Sequence, residues 1–285
     1  MQMLINCLAS AAVLAPGAIG FTLIFTIFRY ANFAVGALVM WGAFAAWTAN
    51  VAFGLPIWMA GLLGMGVCAA LIVLADALVF APLRGRSGGT LLIVSIALSF
   101  ILENLIRFCF GTQIRSFDLP LTGPLRFWGM RVTQETLWVV ALSALATLAI
   151  GALLRFTPLG RALRAVADNA GLAGIRGLPV RRVETLGLVL AGLLFGLSGT
   201  LVGLDLAIEP NLNWALTIPI IAAAVVGGLG SPLGAALGAV IVGLAEELTV
   251  AFVSAPYKGA VGFVVIALVL VLRPQGLLGT AVERK

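Results

Sequence analysis

The chain has 285 residues, of which 62% are hydrophobic and only 10% charged, with a mean hydropathy of +1.16. No soluble domain of this size can bury so much apolar side chain, so the sequence belongs in a bilayer. The formal charge of +6 is a topology signal rather than a sign of nucleic-acid binding, and the lack of histidine removes the commonest general base, metal ligand and neutral-pH proton switch.

The apolar runs are continuous rather than alternating, which predicts spanning helices and not a barrel. The expected fold is an all-α polytopic membrane protein, one transmembrane domain over residues 1–285. Spans are expected at residues 4–28, 33–53, 56–80, 91–110, 136–154 and 185–203, then a glycine-interrupted region at 218–248 and a last span at 259–272. That makes eight segments, or nine if the interrupted region crosses twice. The first span is too long for the apolar part of a cleaved signal and has no basic run before it, so it reads as part of the membrane domain. Cys7, Cys68 and Cys109 fall inside apolar spans and read as small packing residues, not as a disulfide or metal framework.

Charge placement sets the orientation. Arg84, Arg86, Arg155, Arg161, Arg164, Arg176, Arg181 and Arg182 occupy loops of one parity, joined by Arg29, Arg273, Arg284 and Lys285 if the interrupted region crosses twice. The other side holds Arg115, Arg126, Arg131 and Lys258, with Asp118 and Glu135 nearby. The positive-inside rule then puts the loop at 156–183 in the cytoplasm. Arg161 and Arg164 share one face of a helix there, with Leu163, Val166 and Ala167 on another.

No nucleotide-binding loop, nucleophile elbow or ligand-spaced carboxylate cluster appears, which turns the reading from enzyme to transporter. Two stretches resemble interrupted helices, where transporters place their pathways. One is Asn32 to Gly36; the other is Gly227-Gly228-Leu229-Gly230-Ser231-Pro232, expected to open the backbone at membrane depth. Close packing is the competing reading, because Gly234 and Gly238 are spaced as a small-residue contact, as are Gly192 with Gly196 and Gly199 with Gly203. Glu103 and Asn104 lie within the fourth span, with Arg107 one turn on. They either face a solute route or tether helices together. Asp76 can pair with Arg84, and Glu246 and Glu247 read as interfacial.

Five segments in order resemble the permease subunits of high-affinity branched-chain amino acid ABC transporters. They are Asn32-Phe33-Ala34-x-Gly36, the run from Ser99 through Glu103-Asn104 to Gly111, Thr157 through Gly160-Arg161 to Arg164, Gly227-Gly228-Leu229-Gly230-Ser231, and Arg273-Pro274-Gln275-Gly276-Leu277. The resemblance implies an ABC importer of the bacterial cytoplasmic membrane. This chain would be one of two permeases, the second a different chain, and it would work with two cytoplasmic ATPases and an external or periplasmic solute-binding protein. ATP and magnesium would belong to the ATPases, with no cofactor in this chain. Asn32, Gly36, Glu103, Asn104, Gly227, Gly228, Gly230 and Ser231 would frame the passage, and Gly160, Arg161, Arg164 and Asp168 would couple it to an ATPase.

The chain departs from the family pattern at Ala37, at Ala170-Gly171 and after Pro210. The first and last of these lie near the expected passage and bear on the solute, which leaves urea, short amides and other small molecules beside branched-chain amino acids. A secondary transporter driven by an ion gradient is the alternative class and would rely on Glu103. A membrane scaffold with a basic docking loop is the third.

Overall fold

A computed structural model describes residues 2–119, 125–127, 130–273 and 275–279. Pro274, Arg284 and Lys285 lie outside the described residues, as do the side chains of Arg126 and Arg131. The chain folds as helices α1 (Gln2–Phe28), α2 (Val35–Val51), α3 (Ile57–Ala75), α4 (Gly88–Phe110), α5 (Gln134–Phe156), α6 (Pro158–Asp168), α7 (Ala170–Ile175), α8 (Val180–Asp205), α9 (Leu212–Gly227), α10 (Pro232–Phe252) and α11 (Lys258–Leu272). Between α4 and α5, strands β1 (Leu125–Phe127) and β2 (Met130–Val132) pair antiparallel. Three-residue strands carry no readable period, and this hairpin was not foreseen.

Among the described residues, seven helices are long and apolar enough to cross a membrane, and α2 and α9 are shorter apolar helices. The last turns of the third span loosen into a π-turn, Asp76–Phe80, and a tight turn, Ala81–Leu83. Pro82 explains this, since its ring clashes with the preceding helical carbonyl and it has no N–H to donate.

Two helices form the centre. The apolar windows of α1 and α8 are 78% and 72% buried, against 11% for α5 and for α11. Glycines on α8 set how close its neighbours come. A Cβ would lie 2.5 Å from the Ala69 Cα at Gly192, 2.4 Å from the Met65 Cα at Gly196 and 2.1 Å from the Val39 carbonyl oxygen at Gly199. Lipid tails are as apolar as leucine, so van der Waals contact between close backbones is what holds such helices together.

The interrupted region is an antiparallel hairpin of α9 and α10. Gly227 packs on Gly234, and a Cβ on Gly238 would lie 1.9 Å from the Ala223 carbonyl oxygen. The turn between the helices uses Gly228 and Gly230 at φ 103° and 104°, where L residues are strained. Ser231 Oγ accepts the Gly234 N–H at 3.1 Å and starts α10. Leu277 and Leu278 fold back and donate to the Val226 and Gly227 carbonyls at 2.9 and 3.0 Å, capping α9. Gly230 lies beside Thr26 near the end of α1. The glycines therefore build a packed turn at one end of the bundle rather than an opening at membrane depth.

The charged links gather as the parity argument requires. Arg84 bonds Asp76 and Glu184, each at 2.6 Å, and Arg29 Nη2 donates to the Ala167 carbonyl at 2.9 Å. These bonds bring the α1–α2 link, the α3–α4 loop, α6 and the start of α8 to the same end. Lys258 lies towards the other end of α10, 3.4 Å from Glu246 and 3.7 Å from Glu247. Glu246 is 4% exposed and is a buried partner of Lys258. A lone carboxylate would be too costly to bury, and the ammonium opposite relieves that cost.

Candidate functional site

Both short helices begin inside the bundle, and their first turns meet. At 17 and 16 residues, α2 and α9 extend about 25 Å, less than the ~30 Å of hydrocarbon. An irregular link, residues 29–34, brings the chain from the end of α1 to the start of α2. Backbone groups freed in such a link need partners, and side chains supply them. Asn32 Oδ1 accepts the Ala34 N–H at 3.0 Å, and Ser95 Oγ on α4 accepts the Phe33 N–H at 3.0 Å.

Gly36 opens α2 directly against α9. A Cβ there would lie 2.2 Å from both the Asn213 carbonyl oxygen and Thr217 Oγ1, so any side chain would push the two first turns apart. Helix α4 passes this junction with Ser95, Ser99, Glu103 and Arg107 at four-residue spacing along one face. Asn213 Nδ2 donates to Ser99 Oγ at 3.0 Å and to Glu103 Oε2 at 2.9 Å. Glu103 Oε1 accepts from Arg107 Nη2 at 2.5 Å, and the same nitrogen donates to Asn211 Oδ1 at 2.9 Å. Thr217 Oγ1 returns a bond to the Asn213 carbonyl at 2.8 Å.

This junction is dry apart from one edge. Ser99 and Thr217 are fully buried, Asn213 is 1% and Glu103 5% exposed, whereas the Arg107 side chain is 36% exposed. The carboxylate thus sits inside with its positive partner reaching outward. Such a network holds the two helix starts in one arrangement, and breaking one bond would leave a buried polar group without its partner. It has no nucleophile activated by a base, so its chemistry is positional.

The residues singled out from sequence divide into separate places. Asn32, Gly36 and Glu103 meet at the junction. Asn104 is exposed on a different face of α4 and donates to the Phe100 carbonyl at 2.8 Å. Gly227, Gly228, Gly230 and Ser231 sit at the hairpin turn, about 21 Å along α9 from Asn213. Ser95, Ser99, Asn213 and Thr217 were missed. The four-residue spacing of Ser95, Ser99, Glu103 and Arg107 was the signal that could have found the first two.

The four residues expected to meet an ATPase, Gly160, Arg161, Arg164 and Asp168, fall on one element, α6. Thr157 caps α6 by accepting the Gly160 N–H at 3.2 Å, and Asn169 caps α7 by accepting the Leu172 N–H at 2.9 Å. Gly160 is buried where α5 turns into α6, and a Cβ there would lie 2.2 Å from the Leu154 carbonyl oxygen. Leu163 and Val166 pack with Ala173 and Val183 in a small cluster of their own. Arg161, Arg164 and Asp168 are exposed, and on α7 Leu172 and Ile175 are 55% and 86% exposed. A surface of mixed charge and aliphatic side chains facing outward suits a protein partner.

A family model described as the permease component of the branched-chain amino acid transport system matches residues 3–272. The high-affinity branched-chain amino acid transport system permease protein LivH of Salmonella typhimurium is 29% identical across 98% of this chain and 95% of its own length. The corresponding permease protein BraD of Pseudomonas aeruginosa is 28% identical across the same shares, 98% and 95%. Among solved structures, a chain of PsaBC from Streptococcus pneumoniae in complex with Fab superposes with a TM-score of 0.53 at 13% identity, covering 96% of this chain and 93% of that one. The last similarity is one of fold.

Proposed function

Because the chain belongs to the permease-component family of branched-chain amino acid transport systems, we propose that it forms the membrane passage for a branched-chain or related small amino acid in a binding-protein-dependent ABC importer. Its partners in this reading are a second permease, two cytoplasmic ATPases that bind and hydrolyse ATP, and a solute-binding protein outside the bacterial cytoplasmic membrane.

The observation that carries the reading is the bond from Arg29 to the Ala167 carbonyl. It ties the C-terminal end of α6 to the irregular link, and that link leads within three residues to Asn32 and then to the α2–α9 junction. Docking of an ATPase against Arg161, Arg164 and Asp168 would move α6 as a body, since its apolar face is fixed to α5, α8 and Ile27. Arg29 would transmit that shift to the link, and the Asn213–Glu103–Arg107 network would give the junction two discrete arrangements rather than a continuum. Glu103 is already neutralised by Arg107, which disfavours a proton- or sodium-carrying role and hence the ion-driven alternative.

The test is co-purification from native membranes in mild detergent, followed by reconstitution into vesicles. The complex should contain two ATPase chains and a second permease, and uptake of leucine delivered by the associated binding protein should require ATP. A chain that purifies without ATPases and still takes up solute on an imposed ion gradient would overturn the proposal.

A further inference from the structure

A cavity of about 340 Å³ opens at the arginine-rich end of the bundle, away from the α2–α9 junction. It lies between the α1–α2 link, the π-turn after α3 and the start of α4, and Arg29, Tyr30, Asp76, Arg84 and Arg86 are among its lining residues. Arg84 is fully engaged, with Asp76 and Glu184 at 2.6 Å and its guanidinium over the Phe28 ring. Arg29 donates to a carbonyl, which leaves its charge uncompensated, and among the described residues Arg86 has no carboxylate partner. Tyr30 is 5% exposed, packed between Phe28 and Phe80, and among the described residues its hydroxyl has no hydrogen-bond partner.

A cavity-lining hydroxyl without a protein partner, on a largely buried ring and beside two guanidinium groups that have no carboxylate partner among the described residues, suits an anion with several acceptor oxygens. Phosphate is the group that matches this set of donors. The cavity also has an apolar wall, with Ile27, Phe28 and Leu91, and it opens at the arginine-rich end that the positive-inside rule assigns to the cytoplasmic side. We propose that it binds the phosphate of an anionic phospholipid, with Arg86 and Arg29 supplying charge and Tyr30 a hydrogen bond. A lipid held there would brace the same link that Arg29 joins to α6, so occupancy would tune how firmly the coupling helix is connected to the junction.

The experiment is native mass spectrometry of the protein purified with its co-purifying subunits, with phosphatidylglycerol, phosphatidylcholine or inorganic phosphate added. Wild type should retain phosphatidylglycerol and not phosphatidylcholine. Arg86→Ala should weaken retention about fivefold and Tyr30→Phe, which keeps the ring contacts, about tenfold. Arg182→Ala, an exposed arginine outside the cavity, should leave retention unchanged. Equal retention of the neutral lipid, or retention unaffected by Tyr30→Phe, would overturn the proposal. Inorganic phosphate that displaces the lipid with the same dependence on Tyr30 would assign the site to free phosphate and overturn the lipid as its occupant.

Discussion

Asn213 Nδ2 lies 2.9 Å from Glu103 Oε2, a bond that joins the first turn of α9 to the middle of α4 across 110 residues of sequence. The same amide nitrogen reaches Ser99, while its backbone carbonyl abuts Gly36. One asparagine therefore touches both of the other elements at the junction. The arrangement satisfies the buried carboxylate from two sides, Asn213 at one oxygen and Arg107 at the other.

Removing the charge and removing the side chain should have different consequences. Glu103→Gln leaves an acceptor for Asn213 and loses the ion pair, whereas Glu103→Ala strands both partners. Loss of one partner of a buried pair costs about 3–5 kcal/mol, and the 36% exposure of the Arg107 side chain puts the alanine variant at the low end of that range. Thermal unfolding in detergent should show a large drop for Glu103→Ala and a smaller one for Glu103→Gln, with ATP-driven uptake reduced in both. An unchanged unfolding midpoint for Glu103→Ala would show that the network contributes no stability.

Much of this fold was legible because hydropathy reports spans directly. The helix at 158–168, the glycine faces of α8 and the Asp76–Arg84 pair all follow from spacing that is local in sequence. The junction was not legible, because Asn213 gains its meaning only from residues 110 and 114 positions away. The depth at which α2 starts also depends on Ser95 accepting a backbone bond from another helix. The run at 227–232 misled for a physical reason: glycines that permit an open backbone also permit a tight turn and close helix contact, and composition cannot separate these.

The exposed arginines of α6 should matter for coupling and not for folding. The double variant Arg161→Ala, Arg164→Ala removes two exposed side chains and the long 3.4 Å bond from Arg164 Nε to the Gly160 carbonyl, so its stability should stay within about 0.5–1 kcal/mol of wild type. Uptake in reconstituted vesicles should nevertheless fall at least tenfold, with the ATPases either lost from the complex or no longer stimulated by loaded binding protein. Normal transport by this variant would remove α6 from the coupling assignment.

Gly160→Ala tests the same element from its buried side. The new methyl would lie 2.2 Å from the Leu154 carbonyl oxygen, which is backbone and cannot yield without moving α6. Strain of this kind costs about 1–3 kcal/mol. The variant should assemble poorly with ATPases even though every exposed residue of α6 is unchanged, and blue-native electrophoresis would read this directly.

Close approach between α9 and α10 predicts a sharp contrast between two glycines. Gly238→Ala places a methyl 1.9 Å from the Ala223 carbonyl oxygen, whereas at Gly66 nothing lies within 4 Å of the added atom. Gly238→Ala should lower stability by about 1–3 kcal/mol or abolish expression. Gly66→Ala should be neutral or raise stability by about 0.5–1 kcal/mol, because a helical glycine has more backbone freedom to lose than an alanine. Yield and unfolding midpoint in detergent distinguish the two, and equal behaviour would show that the hairpin relaxes to admit the methyl.

The orientation can be tested by where added thiols react. Among the native cysteines, Cys7 and Cys68 are buried and Cys109 is exposed, so a background carrying Cys109→Ala has little competing reactivity. Gly89 at the start of α4 and Gly259 at the start of α11 both have room for a side chain, and the bundle places them at opposite ends. In sealed spheroplasts a membrane-impermeant maleimide should label Gly259→Cys at once and Gly89→Cys only after permeabilisation. That pattern follows from the excess of arginine at the Gly89 end, where Arg29, Arg84, Arg86 and the α6 arginines collect. The reverse pattern would place α6 outside the cell, where no ATPase could reach it, and would overturn both the coupling role and the cytoplasmic-leaflet lipid site. Labelling of both positions from the same side would instead show that one apolar helix between them does not cross.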